Sequence, residues 1–190
     1  MGWNNILKEY WINTLFWCNN NNGDRMYYYI NNFYIFGFIG YIFELLQGLI
    51  LRHKFINNIL FEPIKPIYGI GIVLVIIIER TIFNNLKISK KFKLFIIFIT
   101  AFILLTLLEY LTGIILEKTI HKSLWDYRHF ILNIGRYISI EVSILWGIIS
   151  VLFVGLIQKK TDKVIKKIPV WFSNIMLIIT ITDILLTIII

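Results

Sequence analysis

Ionisable and small polar residues recur at helical spacing inside long apolar stretches of this 190-residue sequence. Residues four and eight positions apart stay close to one face of an α-helix. A charged group facing lipid costs several kcal/mol, so such groups turn inward, pair with each other or line water. Four polar stripes follow from this spacing: Gly37, Gly40, Tyr41, Glu44 and Gly48; Thr106, Glu109, Tyr110, Gly113 and Glu117; Arg136, Ser139, Ser143, Gly147 and Ser150; and Ser173, Thr180, Asp183 and Thr187.

Two interpretations of these stripes remain open. In the structural one, small residues allow close helix contact and the acids pair with Arg128 and Arg136 as interior struts. In the functional one, the same groups line a solute site or path. The candidate set for either role is Glu44, Tyr68, Glu109, Tyr110, Glu117, Asp126, Arg128, Arg136, Ser143 and Asp183. Glu141 lies off its stripe, and we expect it at the membrane interface.

Polar and aromatic residues also mark the connector that runs from Trp125 to Arg136. Tryptophan and tyrosine favour the membrane interface, and Asp126 with Arg128 could hold the loop against the bundle. His121, Asp126 and His129 match no zinc-binding spacing, so we expect no metal. Prolines and glycines around Pro63 and Pro66 predict that the first connector, which joins the first two spans, also folds back onto the bundle.

Familiar catalytic motifs are missing from the sequence. There is no G-x-x-x-x-G-K-[ST] loop, G-x-S-x-G elbow or H-E-x-x-H helix. A membrane hydrolase using Glu109, Glu117 and a histidine has no specific support. We therefore expect neither an enzyme nor a bound cofactor.

The elements that must position these residues are membrane-spanning helices. The chain is 58% hydrophobic and 16% charged, which differs strongly from soluble domains. Its net charge of +8 arises largely from short loops between apolar runs, so we expect lipid and not nucleic acid as the partner. The single cysteine, Cys18, excludes an internal disulfide and a cysteine metal cluster.

The apolar runs predict an all-α membrane protein, a bundle of about five transmembrane helices without a soluble domain. Residues 1–26 form an N-terminal segment in the cytoplasm or at the interface, with apolar residues at helical spacing. Residues 27–190 form the transmembrane domain, in which Pro66 suits the first turn of a helix. The predicted spans are 27–51, 66–83, 94–116, 134–157 and 168–190.

Basic residues are distributed unevenly between the two sides of this arrangement. Twelve of the nineteen Lys and Arg residues map to one side of the membrane. This side holds the N-terminus, the connector around 84–93 and the connector around 158–167. This asymmetry predicts the N-terminus inside and the C-terminus outside. Most acidic residues map to the outer half, so we expect the chemistry there.

The order of motifs from about residue 31 to 157 resembles the ABC-transporter type IV family, whose members are labelled CmpB-like permeases. The resemblance is carried by Gly37–Glu44, Pro66–Gly71, Leu108–Gly113 with Leu116–Lys118, Trp125–Tyr127, Asn133, Gly135–Arg136 and Trp146–Gly147. The first connector departs from the family pattern, with Asn58, Ile59 and Glu62–Pro63 at its turn. The resemblance implies a permease-like membrane subunit and carries over Glu44, Tyr68, Glu109, Glu117, Asp126 and Arg136.

We therefore expect a permease or permease-like protein of the bacterial inner membrane, with a polar cluster in its outer half. If transport is driven by ATP, a separate ATPase must dock on the cytoplasmic side. Because five helices enclose little space, we also expect a homo-oligomer. The alternatives are a substrate-capture or regulatory membrane subunit that does not transport, and a membrane enzyme acting on lipid or cell-wall precursors.

Overall fold

Six α-helices and one short β-hairpin make up the computed structural model, which describes residues 22–51, 60, 63–85, 87–121 and 123–189. Residues 1–21 of the predicted N-terminal segment and most of the first connector lie outside these residues. The elements are α1 (Asn22–Leu51), α2 (Pro66–Asn85), α3 (Lys90–Ile120), β1 (Asn133–Ile134), β2 (Ile138–Ser139), α4 (Ile140–Leu152), a π-helical turn (Phe153–Ile157), α5 (Gln158–Ile165) and α6 (Val170–Ile189).

The predicted fold class, an all-α membrane protein, is confirmed. Four helical segments among the described residues are long and apolar enough to cross a membrane: Arg25–Leu46, Lys90–Ile120, Ile140–Ile165 and Val170–Thr187. The third of these is continuous from α4 through the π-helical turn to α5. With α2, the described residues form five helical rods.

Neighbouring rods pack side by side. α1 contacts α2 and α6, while α3 contacts α2 and α4. The chain reverses direction at each connector, so consecutive rods are antiparallel. The end of α1, the starts of α2 and α4 and the β-hairpin lie together at what we term the hairpin end of the bundle. The starts of α1, α3 and α6 lie at the opposite end.

The third rod is longer than the predicted span of 94–116. Ser89 caps the N-terminus of α3, where its side chain accepts a hydrogen bond from the Phe92 N–H. The 31 residues of α3 correspond to about 46 Å at the α-helical rise, which exceeds an apolar bilayer core of about 30 Å. Hydropathy detected the apolar middle of α3 and omitted the charged turns that extend beyond it.

The fourth predicted span, 134–157, is wrong at both ends. Residues 133–139 form the antiparallel β-hairpin, in which Asn133 pairs with Ser139 and Gly135 has a φ of 69°. The rod begins only at Ile140 and runs to Ile165, through the region predicted as a connector. Arg136 is therefore in the hairpin turn and not on the helical stripe to which the sequence assigned it.

Candidate functional site

A buried ion pair joins α1 to the residue that precedes α2. Lys65 Nζ lies 2.6 Å from Glu44 Oε2, and the two side chains are 8% and 19% exposed. The Lys65 N–H also donates to the Gly37 carbonyl oxygen at 3.0 Å. The predicted fold-back of the first connector is thus seen at its last residues, which carry Lys65 into the bundle beside Glu44.

Tyr68 extends this pair along α2. Its hydroxyl lies beside Glu44 and also faces Glu109. Its ring lies against Gly40 of α1, where any added Cβ would collide with the ring. On its other side, the ring meets Trp146 edge-on, with centroids 5.6 Å apart.

Glu109 lies at the centre of the site, on α3, and is 4% exposed. Its Oε1 accepts a hydrogen bond from the Tyr127 hydroxyl at 2.9 Å. The indole of Trp146 interacts with the same carboxylate, although Trp146 Nε1 and Glu109 Oε2 each lack a partner at hydrogen-bonding geometry. Among the described residues, no Lys or Arg forms an ion pair with Glu109.

Tyr127 comes from the loop before the hairpin and closes over this carboxylate. Burial raises the pKa of the Tyr127 hydroxyl, and the negative charge of Glu109 raises it further. Tyr127 therefore remains a hydrogen-bond donor at any physiological pH. We term Glu44, Lys65, Tyr68, Glu109, Tyr127 and Trp146 the hairpin-end cluster.

A second carboxylate on α3 is neutralised near the surface. Arg136 Nη1 lies 2.7 Å from Glu117 Oε1, and the Tyr137 hydroxyl donates to Glu117 Oε2 at 2.6 Å. Tyr137 packs against Gly113, where an added Cβ would lie 2.6 Å from its ring. These contacts fix the hairpin to α3.

Asp126 holds the loop itself together. Arg128 Nε donates to both Asp126 oxygens, at 2.9 and 3.0 Å, and the Arg128 N–H donates to Oδ1 at 3.1 Å. Arg136 Nε lies 3.5 Å from Asp126 Oδ2 on the other side. The hydrogen bonds from Arg128 hold the pKa of Asp126 well below its usual range.

Glu141 lies at the first turn of α4, beside the hairpin and outside the cluster. It accepts hydrogen bonds from the Leu132 N–H at 2.9 Å and from the Ser139 hydroxyl at 2.7 Å. A carboxylate here also interacts favourably with the positive end of the helix dipole. Glu141 therefore stabilises the junction between the hairpin and α4.

Three predicted site residues are not brought into these contacts. Tyr110 is 40% exposed on the outer face of α3, so its placement on the buried stripe is wrong. Ser143 is buried, but its hydroxyl donates to the Ser139 carbonyl oxygen of its own turn. Asp183 is buried on α6 and accepts a hydrogen bond from Thr187, near the Tyr34–Thr180 hydrogen bond that joins α6 to α1.

A metal site finds no support in the part of the chain that the structure describes. No group of three His, Cys, Asp or Glu residues could hold a metal ion there. Asp126 is occupied by its arginine neighbours.

Sequence reasoning missed four residues of this end: Lys65, Tyr127, Tyr137 and Trp146. Lys65 was assigned to the connector, although its position directly before Pro66 fixes it at the start of a helix. Tyr127 and Trp146 were treated as an interface anchor and as parts of the family pattern, and Tyr137 was not singled out. A signal was present, because Trp146 is four residues before Ser150 of the predicted stripe. Hydropathy alone does not distinguish an aromatic hydrogen-bond donor from an apolar side chain.

The arrangement can bind a polar group of a solute that enters from the hairpin end or between the helices. A carboxylate with one incompletely satisfied oxygen, an indole N–H and two tyrosine hydroxyls converge within an otherwise apolar bundle. These groups can accept hydrogen bonds from a solute and donate hydrogen bonds to it. The ion pair between Glu44 and Lys65 lies at the edge of the cluster. Fold and site together define a polytopic α-helical membrane protein with a buried polar cluster near one end.

Comparison with known proteins places the chain more narrowly. The family described as Putative ABC-transporter type IV matches residues 31–190, which is most of the chain. The protein belongs to this family, as its motifs predicted. No curated protein and no solved structure matches it.

Proposed function

We propose that this protein is a permease-like subunit of an ABC-type transporter in the bacterial inner membrane, and not an enzyme. The hairpin-end cluster is its solute site, and the energy comes from a separate ATPase. Family membership supports the transporter class. The geometry around Glu109 carries the solute site.

The observation that carries the proposal is a contrast among carboxylates at the same end of the bundle. Glu44, Glu117 and Asp126 each have a cationic partner within 4 Å. Glu109 is more deeply buried, and its donors among the described residues are uncharged. A purely structural carboxylate in an apolar bundle is expected to be paired, because an unpaired buried charge destabilises the fold. Glu109 is therefore the group that a solute or its proton would neutralise.

An ATPase partner fits the other end of the bundle. Exposed lysines gather there on the start of α3, on α5 and in the loop that follows it: Lys87, Lys90, Lys91, Lys159, Lys160, Lys163, Lys166 and Lys167. A soluble subunit with an acidic face would dock on this surface by charge complementarity. The same basic surface supports an orientation with this end in the cytoplasm.

Exposed apolar side chains cover the outer faces of α3 and α6, including Ile103, Leu107, Ile178 and Ile181. These faces suit lipid or a second copy of the chain. We include a homo-oligomer in the proposal because one bundle of five rods encloses little space for a path. Cross-linking in native membranes measures this directly.

The partner is tested by purifying the tagged chain from its own membranes and identifying the proteins that come with it. We expect an ATPase with a P-loop. Changing Lys159, Lys160 and Lys163 to Glu should reduce its recovery. Changing Lys118, which is exposed near the hairpin end, to Glu is the matched control and should leave recovery unchanged.

The solute site is tested in cells that lack the chromosomal copy and carry a plasmid copy. Comparing which solutes disappear from the medium identifies the substrate without a prior guess. Glu109→Gln should lower uptake strongly, while Tyr110→Phe, on the exposed side of the same turn, should not. Absence of an ATPase together with normal uptake by Glu109→Gln would contradict the proposal.

The alternative of a substrate-capture subunit draws on one feature. The loop that carries Tyr127 covers Glu109 from the hairpin end, so a bound solute would be enclosed between the loop and α3. A solute that raises the thermal stability of the purified protein, but crosses no proteoliposome membrane even with the ATPase present, would favour this function.

A further inference from the structure

The hairpin-end cluster contains two carboxylates and one ammonium group. Glu44 is neutralised by Lys65, whose Nζ lies 2.6 Å from it. Glu109 is 4% exposed, and none of the ion pairs among the described residues includes it. The Tyr127 hydroxyl and the Trp146 indole, which contact its carboxylate, are both uncharged. The cluster therefore has an excess of one negative charge inside an apolar bundle.

The sign of this charge restricts the solute. An unpaired buried charge destabilises the fold, so a ligand of opposite charge gains the most by binding beside it. An anionic solute would place a second negative charge next to Glu109. Lys65 does not compensate for it, because its ammonium group is already held by Glu44. The cluster therefore suits a solute with a single positive charge.

Aromatic rings form the wall of the cluster beside Glu109. Tyr127 donates to Glu109 Oε1 at 2.9 Å, and Tyr68 faces the same carboxylate. The rings of Tyr68 and Trp146 meet edge-on, with centroids 5.6 Å apart. Aromatic rings attract a cation that lies within about 6 Å of the centroid, most strongly where water is excluded, and tryptophan is the most effective. This wall suits an organic cation, whose carbon atoms also pack against the rings.

A metal ion matches the same wall less well. Hard cations such as calcium and magnesium are held by about six oxygen ligands. In this cluster Glu109 Oε1 already accepts from Tyr127, and Glu44 is paired with Lys65. Nor do the described residues contain a group of three His, Cys, Asp or Glu side chains that could hold a metal. The oxygen ligands are therefore too few for a metal ion.

The second oxygen of Glu109 discriminates among organic cations. Oε2 is buried and has no hydrogen-bond donor among the described residues. A protonated amine can donate a charge-assisted hydrogen bond to it. A quaternary ammonium group has no N–H, so its binding would leave this buried acceptor unsatisfied, which is unfavourable.

From these contacts we propose that the hairpin-end cluster binds a monovalent organic amine in its protonated form. The ammonium group donates to Glu109 Oε2, and the attached carbon atoms pack against Tyr68 and Trp146. This inference rests on the proposed function, because it takes the cluster as the solute site. The amine belongs to a small free solute or to the headgroup of phosphatidylethanolamine, since both present the same ammonium group.

The test measures the thermal midpoint of the full-length protein, purified in detergent at pH 7 and constant ionic strength. The probes are n-butylammonium chloride, tetramethylammonium chloride and sodium butyrate. We expect a saturable rise with butylammonium, a smaller rise with tetramethylammonium and none with butyrate. An equal rise with tetramethylammonium, or a rise with butyrate, would overturn the proposal. So would the absence of a rise with both butylammonium and phosphatidylethanolamine.

Lipid added to the detergent separates the two sources of the amine. If phosphatidylethanolamine raises the midpoint more than phosphatidylcholine does, the amine is that of a lipid headgroup. If the two lipids act equally while butylammonium raises the midpoint, the amine is that of a free solute. Both results support an amine site, because the two lipids differ only in the N–H groups of the headgroup.

Variants assign the rise to this cluster. Glu109→Gln should abolish the rise with butylammonium, whatever its own midpoint. Glu117→Gln is the matched control further along α3, because Glu117 lies outside the cluster and is paired with Arg136, and it should keep the rise. Trp146→Leu should increase the half-saturating concentration about fivefold, and Trp146→Phe, which keeps a ring, by less. Retention of the rise in Glu109→Gln would refute the proposal.

The identity of the transported solute separates the failure of this inference from the failure of the proposed function. If the solute removed from the medium is neutral or anionic, and Glu109→Gln stops its uptake, the chain is a permease and the amine proposal is wrong. If the chain has no ATPase and takes up no solute, but the rise with butylammonium requires Glu109, the amine site stands without the permease function.

Discussion

At the scale of single residues, the carboxylates of the hairpin end differ in what neutralises them. Glu44 is paired with a buried ammonium, and Glu117 with a guanidinium near the surface. Within the part of the chain that the structure describes, Glu109 accepts from a tyrosine hydroxyl and lies against an indole. A buried charge without a counter-ion destabilises the folded state, so removing that charge is stabilising. Removing one member of a buried ion pair has the opposite effect, because the other member is left without a counter-ion. The same substitution should therefore have opposite effects at the two buried positions.

Glu109→Gln should raise the thermal midpoint of the purified protein, since the amide still accepts from Tyr127 and no charge stays buried. Glu44→Gln should lower the midpoint, by an amount equivalent to about 3 kcal/mol, because the Lys65 ammonium loses its partner. Both are measured by thermal unfolding in the same detergent. A matched loss of stability in the two variants would show that Glu109 has a counter-ion.

The exposed pair of Asp126 and Arg128 predicts a pH dependence with a definite sign. The folded state holds the pKa of Asp126 below its value in the unfolded chain, which is about 3.9. Its contribution to stability is therefore complete above about pH 4 and is lost as the pH falls toward the folded pKa. Asp126→Asn should remove this part of the acid transition and leave the profile above pH 5 parallel to that of the unmodified protein. The check is the thermal midpoint across a pH series.

At the scale of elements, the sequence defined helices better than what joins them. Length and hydropathy identified the apolar middle of each rod, and Pro66 is the first residue of α2. The hairpin was missed because Ile134, Ile138 and Ile140 continue an apolar run. The helix does not extend through this run, because Gly135 has a positive φ and Ser139 caps the N-terminus of α4. Such geometry depends on one or two residues and leaves no periodic signal.

Close packing of the hairpin on α3 makes Gly113 sensitive to a single methyl group. An added Cβ would lie 2.6 Å from the Tyr137 ring, so Gly113→Ala must displace the ring and with it the hydrogen bond to Glu117. Overpacking of this kind costs about 1–3 kcal/mol. Gly71→Ala is the control, because its Cβ would meet Leu105 at an ordinary 3.5 Å. We expect a lower thermal midpoint for Gly113→Ala only.

At the scale of the whole molecule, buried polar groups include the hairpin-end cluster and a second layer around Gln158 and Asp162. The apolar core of Val75, Ile76, Ala101 and Leu105 is also buried in the bundle. The hairpin-end layer could be predicted, because Glu44, Glu109 and Glu117 stand out in apolar runs. The other layer could not. Gln158 and Asp162 follow the predicted end of the fourth span, so the sequence assigned them to a connector. The π-helical turn before them directs both side chains toward the interior.

The orientation of these two layers in the membrane is the remaining prediction, and it follows from charge. Twelve of the nineteen basic residues were assigned to the side of the N-terminus, and the exposed lysines of α5 lie at that end in the folded chain. Basic segments are retained in the cytoplasm during insertion. The end with the lysines should therefore face inward, and the hairpin outward.

Cysteine labelling in intact cells measures this orientation. With Cys18 replaced by Ser, Ile131→Cys, in the loop just before the hairpin at a position that is 93% exposed, should react with a membrane-impermeant maleimide. Lys160→Cys, on the exposed side of α5, should react only after the membrane is permeabilised. The two variants are controls for each other, since both sites are accessible once the membrane is open. Labelling of Lys160→Cys alone in intact cells would invert the topology and place the hairpin-end cluster, with its uncompensated carboxylate, on the cytoplasmic side.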